Sequence, residues 1–192
     1  LTGCFHATIN TMITFITGNA GKLAELKALL SDEVAITHQS LDLVEIQSFD
    51  LHEIVRHKLR EAYAQLQSPV MVEDVSAGLA SMNGFPGPFV KYLFERMGDN
   101  ALYEIGAPDD RVDVVCTMGY YDGKHEIIVD GVQYCTVTAP RGESGFGFDS
   151  TLIPDGYDQT LAELGTEVKN TISHRHKAVT AMVAALKSHG IC

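Results

Sequence analysis

The stretch MITFITGNAGKLAELK, Met12 to Lys27, reads as a short strand, a tight turn and a helix. Ile13, Phe15 and Ile16 make a compact, partly β-branched run of the kind found in buried strands. After the turn, Leu23, Leu26, Leu29 and Leu30 fall on one helical stripe, with Lys22, Glu25 and Lys27 around it. A strand that enters a helix through Thr17-Gly18-Asn19 aims backbone N–H groups at one point, and Lys22 adds a positive charge in the first turn. Those are the ingredients of a phosphate site. The stretch is not a Walker loop, which needs four residues between its glycine and Gly-Lys and a following Ser or Thr. Here Gly18 and Gly21 enclose two residues and Leu23 follows the lysine. Taken alone, an ordinary βα turn with a surface lysine is the simpler reading.

Outward from this turn, strands and helices alternate. Val34 and Ile36 predict a second strand over Glu33 to Thr37. Ile54, Val55, Leu59, Ala62, Tyr63 and Leu66 predict a helix over Leu51 to Leu66, capped by Asp50 or Ser48. Pro69 breaks the pattern, and Val70-Met71-Val72 runs into Glu73-Asp74. An apolar strand that ends in acids predicts carboxylates delivered at a strand's carboxyl end, where open α/β sheets bind ligands. Asn83 to Pro88 is a rigid turn that starts a short third helix at Phe89. From Arg111 the pattern changes to hairpin material, through the turn Tyr121-Asp122-Gly123-Lys124 and on to Val137. A last helix is predicted from about Ser173 to Ser188, with Val179, Met182, Val183 and Leu186 buried. The fold class is α/β with a mixed sheet.

At 192 residues the chain fits one domain with a substantial core. A formal net charge of -11 speaks against non-specific binding to nucleic acid or to anionic membranes. The four cysteines are widely spaced with no CxxC pair, which predicts reduced thiols in a cytosolic protein. No apolar run approaches the ~20 residues of a membrane span. The leading LTGCFHATINT lacks a basic region and a sustained apolar core, so residues 1–12 read as an extension and not as a signal peptide.

Four groups of residues can carry chemistry. Glu45, Glu73 and Asp74 suit Mg²⁺ on a phosphate, which wants one or two carboxylates and several waters; solvated acids are the alternative. Lys58, Lys91 and Lys169 each read individually as solvated charges. Phe146-Gly147-Phe148-Asp149 offers aromatic faces for a base and an acceptor for its edge, or equally a glycine-bracketed segment that packs two Phe into the core. Ser173 caps a helix whose first turn holds His174, Arg175, His176 and Lys177, against the macrodipole. Cations in that position predict an anion or an electron-rich group beside them; a basic, solvated helix start is the alternative.

Six segments in register resemble the inosine triphosphate pyrophosphatase family, the Ham1-like nucleoside-triphosphate pyrophosphatases. They are TGNAGK (Thr17–Lys22), VED (Val72–Asp74), NGFPGPFVK (Asn83–Lys91), GFGFD (Gly145–Asp149), PDGY (Pro154–Tyr157) and SHRHKA (Ser173–Ala178), and the likeness runs from about Ile13 to Leu186. The resemblance implies an elongated mixed sheet flanked by helices, with two lobes and a nucleotide cleft between them, all within residues 13–192. It implies that Thr17, Gly18, Asn19 and Lys22 bind the triphosphate, assisted by Lys58 and Lys91. Glu45 and Asp74 would hold Mg²⁺, with Mn²⁺ as a substitute, and Asp74, Glu73 and Lys22 would carry catalysis. Phe146, Gly147, Phe148 and Asp149 would enclose the base, and Lys169, His174 and Arg175 would read its 6-keto edge. The implied reaction converts ITP, dITP and XTP to monophosphate and pyrophosphate in a cytoplasmic homodimer. Two positions depart from the family pattern: Val75 stands where Ser or Thr is usual, with Ser76 next to it, and Phe148 stands where Trp is frequent. The rival readings are a Maf-like pyrophosphatase of different base preference and a nucleotide-binding regulator without catalysis.

Overall fold

The computed structural model describes residues 12–30 and 34–192. Strand β1 (Ile13–Ile16) is buried along its whole length and leads into helix α1 (Ala20–Leu29), which returns to β2 (Ile36–Gln39), parallel to β1. Pairing of Ile13 with Ile36 sets that register, so the second strand begins later than the alternation of Val34 and Ile36 suggests; Glu33 lies outside the described residues. Helix α2 (Leu51–Leu66) follows, with Asp50 as its cap: the carboxylate accepts from the His52 amide at 2.8 Å. Strand β3 (Val70–Leu79), the two-residue β4 (Pro86–Gly87) and helices α3 (Val90–Met97) and α4 (Ala101–Ile105) come next. The long hairpin of β5 (Arg111–Tyr121) and β6 (Glu126–Val137) precedes β7 (Leu152–Pro154), α5 (Leu161–Ile172) and α6 (His174–Ser188).

The seven strands form one sheet in the order β2-β1-β3-β5-β6-β7, with β4 beside β3. The β1 pairings are parallel and all others antiparallel, so the sheet is mixed. Helix α2 covers one face through Val55, Leu59 and Ala62, packed on Ile16, Val70 and Val72. Helices α1 and α6 cover the other, where Leu26, Val179, Met182 and Leu186 join Phe15, Met71, Cys116 and Met118 in the main core.

Strand β3 does not stop at its acids. It pairs with β5 from Val70–Tyr121 through to Leu79–Val112, and that ladder holds it extended past Glu73 and Asp74. Among the described residues its other edge is paired at two places: with β1 at Val70 and Met71, and with β4 at Ala77 and Gly78. Between them, Val72 to Ser76 face a gap left by the end of β1. The acids therefore sit in mid-strand, at the end of the neighbouring strand and not at the carboxyl end of their own. This corrects the expectation from sequence while keeping its consequence, an open sheet edge where a ligand can enter.

Helix α5 carries no uninterrupted periodic signal in the sequence. Thr160 and Glu163 form a reciprocal capping box at its start, but Gly165 (φ 78°, ψ 168°) interrupts it after one turn. The extension expected over residues 1–12 lies outside the described residues apart from the exposed Met12.

Candidate active site

A cleft of about 980 Å³ opens at the β3 gap; every residue to which the family resemblance gives a site role lines it, whereas Ser173, His176 and Lys177 do not. The TGN turn forms its floor. Asn19 caps α1, its side-chain oxygen accepting from the Lys22 amide at 3.0 Å, and the Thr17 hydroxyl accepts from the Asn19 amide at 3.1 Å. A side chain on Gly21 would come within 3.0 Å of the Phe146 ring, so this glycine lets the aromatic lie directly on the helix start.

Alternation along β3 sends its two acids to opposite faces of the sheet. Glu73 points toward α1 and α6 and is 5% exposed. Arg175 donates to it from Nε (2.9 and 3.1 Å) and Nη2 (2.8 Å), and the Lys22 ammonium lies 3.4 Å away. Burial pushes the Glu73 carboxyl up, but the Arg175 and Lys22 charges prevail and hold it at about 2. Arg175 also donates from Nη1 to Glu25 of α1, whose other oxygen accepts from Lys169 at 2.7 Å; Lys169 in turn donates to Asp149 at 2.6 Å. A continuous chain of alternating charge results, half-buried at Lys22 and buried from there on: Lys22, Glu73, Arg175, Glu25, Lys169, Asp149. Three cations face three anions, so each partner is compensated where an isolated buried charge would be prohibitive.

Asp74 points toward α2, where Lys58 donates to it at 2.8 Å and to Glu45 at 3.0 Å. Lys91 and the Tyr92 hydroxyl reach the second Glu45 oxygen, each at 3.2 Å. Burial alone would raise Glu45, but Lys58 and Lys91 bring it down to about 2. Two carboxylates thus converge on a single ammonium group, a donor set that also suits one hard divalent cation with waters and phosphate oxygens completing its shell. Among the described residues no three His, Cys, Asp or Glu side chains form a metal cage unaided.

At the far end of the cleft, Lys169 lies 4.6 Å from the Phe146 ring centroid. Phe146 is 39% exposed, whereas Phe148 is buried between Phe94 and His174, with ring centroids 6.0 and 5.8 Å away. Of the two rings, only Phe148 packs into the core, and Phe146 keeps an exposed face on the cleft. Asp149 Oδ1 and His174 Nδ1 are buried without a protein partner. Burial raises the Asp149 carboxyl despite Lys169, and burial with Arg175 and Lys169 nearby keeps His174 well below the usual imidazole range, hence neutral.

Arg175 is 2% exposed with three of its nitrogens donating to carboxylates, so its guanidinium supports the cleft from behind. The anion predicted beside the basic first turn of α6 is Glu73 together with Glu25. On the helical stripe of α1, Glu25 has the spacing of a surface residue; only its distant partners, Lys169 and Arg175, reveal it. Ser76 does not line the cleft, so the hydroxyl missing at Val75 is not replaced by its neighbour.

The comparisons with known proteins agree with this architecture. The chain is 40% identical over 181 residues to inosine triphosphate pyrophosphatase 2 of Trypanosoma cruzi, covering 91% of this chain and 92% of the relative. It is 37% identical over 185 residues to the inosine triphosphate pyrophosphatase of Schizosaccharomyces pombe, covering 94% and 98%. Among solved structures, a HAM1 protein of Coxiella burnetii superposes with a TM-score of 0.79 at 26% identity, covering 93% of this chain and 99% of that one. A nucleoside-triphosphatase (dITP/XTP pyrophosphatase) of Mycobacterium abscessus does so with a TM-score of 0.69 at 26% identity, covering 89% and 98%. The model of the Ham1 family matches residues 13–185, and with that match added to these relatives the chain belongs to the Ham1 family.

Proposed function

We propose that the protein hydrolyses the deaminated purine nucleoside triphosphates ITP, dITP and XTP to the monophosphate and pyrophosphate, and so cleanses the nucleotide pool. The observation that carries this reading is the cleft itself, which has cations and a helix N-terminus at one end and unpartnered polar atoms between aromatics at the other. The TGN turn, Lys22, Lys58 and Lys91 would take the triphosphate. Glu45 and Asp74 would hold Mg²⁺, or Mn²⁺, which when bound neutralises phosphate charge and polarises the phosphoryl oxygens. Asp74, on the open side of the gap, would orient a water for in-line attack on the α-phosphate, breaking its bond to the bridging oxygen of the departing pyrophosphate. Glu73 is sealed by Arg175, and in this reading it acts by fixing Lys22.

Base selection follows from the unpartnered atoms. Hypoxanthine and xanthine carry a proton on N1 that Asp149 Oδ1 can accept, whereas adenine N1 is itself an acceptor and would leave the carboxylate unpaired. Such a mispairing in a buried site rejects an analogue by roughly 10⁴-fold or more. His174, neutral, would meet the 6-keto edge. The unit is residues 13–192, and the family resemblance implies a cytoplasmic homodimer; the exposed Phe49 and Phe85 lie outside the cleft, where a second copy would cover them.

The test is turnover of a triphosphate panel with Mg²⁺, measuring pyrophosphate and orthophosphate separately. Pyrophosphate from ITP and XTP but not from ATP is expected. Orthophosphate as the first product would exclude attack at the α-phosphate, and tight binding without turnover would favour a regulator. Sedimentation tests the dimer.

A further inference from the structure

Gly131 lies on β6 beneath the first turn of α6 and does not line the cleft. A Cβ at this position would stand 2.1 Å from the His174 carbonyl oxygen, 2.3 Å from the Ala178 amide nitrogen and 3.0 Å from Ala178 Cα. All three are backbone atoms of α6, so no side-chain rotation relieves the overlap and the helix itself must move. The turn held this closely is the one that presents His174 to the cleft and aims Arg175 at Glu73 and Glu25. A second tie reinforces it: the Lys177 ammonium, one turn along, donates to the carbonyl of Val132 at 2.6 Å.

We infer that Gly131 is a positioning residue for base discrimination. Without a side chain at 131, α6 settles close enough to β6 for the Arg175 guanidinium to reach Glu73 and Glu25 and for His174 to form the cleft wall. The inference rests on the nucleotide reading above. Gly119, on β5, supplies the comparison. Its Cβ would also collide, but with the opposite face's helix and only with side-chain atoms, Val55 Cγ1 at 2.5 Å and Leu59 Cδ1 at 2.7 Å of α2.

The experiment compares Gly131→Ala, Gly119→Ala and Lys177→Met with the wild type by thermal unfolding, by kcat/KM for ITP and ATP, and by the NMR signal of the Arg175 Nε–H, assigned from its loss in Arg175→Lys. Gly131→Ala is expected to fold at a lower Tm, to move the Arg175 signal, and to lower the ITP-to-ATP ratio of kcat/KM by about tenfold or more, as misplacement of a site by about 1 Å does. Lys177→Met should act in the same direction and more weakly. Gly119→Ala should lose stability while its ratio and its Arg175 signal stay at wild-type values. A folded Gly131→Ala with the wild-type ratio and signal overturns the inference. If Gly131→Ala does not fold, an unchanged ratio and signal in Lys177→Met overturn it instead. A wild type that leaves ITP intact defeats the nucleotide reading alone, and the Arg175 signal then decides the positioning.

Discussion

Arg175 donates to two carboxylates that arrive from different elements, Glu73 on β3 and Glu25 on α1. Neither acid has much water to fall back on, so removing one leaves a buried cation undercompensated. Glu25→Gln keeps the shape of the side chain but discards its charge and one of the two acceptor oxygens that Lys169 and Arg175 use. It is expected to lower stability by about 3 kcal/mol, read from urea midpoints at constant m-value; a loss below about 1 kcal/mol, the range of a surface pair, would show that Glu25 is solvated. Asp74→Asn acts differently, because Asp74 is partly open and its amide counterpart can still accept from either Lys58 or the Val75 amide through its one oxygen. Pyrophosphate release from ITP should fall by roughly 10²–10⁴ with little change in Tm, and surviving turnover would move metal binding and water activation elsewhere. The contrast also shows what a single sequence can reveal. Asp74 stands out because it interrupts an apolar run. Glu25 sits between Lys22 and Lys27 on the polar flank of a short amphipathic helix, and nothing local separates it from a solvated acid.

The elements legible in the sequence are those whose periodicity is uninterrupted and whose ends carry their own signals. Helix α2 spans Leu51–Leu66 as the apolar spacing and Asp50 predict, and the β5–β6 hairpin follows its alternation. The extent of β3 is hidden because a strand's length depends on its partner: β5 holds residues 73–79 extended regardless of their polarity. Helix α5 is hidden by Gly165, whose positive φ breaks the 3.6-residue period before the helix resumes toward Lys169. A Cβ on that glycine would project into open space, so any penalty there is backbone strain and not collision. Gly165→Ala is accordingly expected to destabilise by about 1 kcal/mol, with a Tm lower than wild type and ITP selectivity intact as long as Lys169 keeps its two carboxylates. A Tm equal to or above wild type would mean that α5 straightens through the kink without strain.

Across the whole molecule, the gap in the sheet places two electrostatic networks back to back. Glu73 anchors one on the α6 face and Asp74 the other on the α2 face, where Asp74 and Glu45 are matched by Lys58 and Lys91. Both sets are locally balanced within a chain of net charge -11, so acidification disturbs them through their protons and not through general repulsion. Glu73 and Glu45, ordinarily near 4.5, are held at about 2 in the fold, so their contribution is complete above pH 4.5 and is lost as pH falls toward 2. His174, ordinarily near 6.5, is kept neutral by burial and by Arg175 and Lys169, so the unfolded chain binds a proton that the fold does not, and stability falls below pH 6.5. Asp149, raised by burial, works in the opposite sense, since the fold takes up its proton first and moderates the loss near pH 4. Urea unfolding from pH 8 to 3 should therefore show a first decline beginning near 6.5, of at most about 1.4 kcal/mol per pH unit for one group, and a steeper one below 4.5. His174→Gln should erase the first decline and leave the second. A wild-type profile that stays flat between pH 6.5 and 5 would mean that the imidazole charges freely in the folded protein and that the wall of the cleft beside Phe148 is wet.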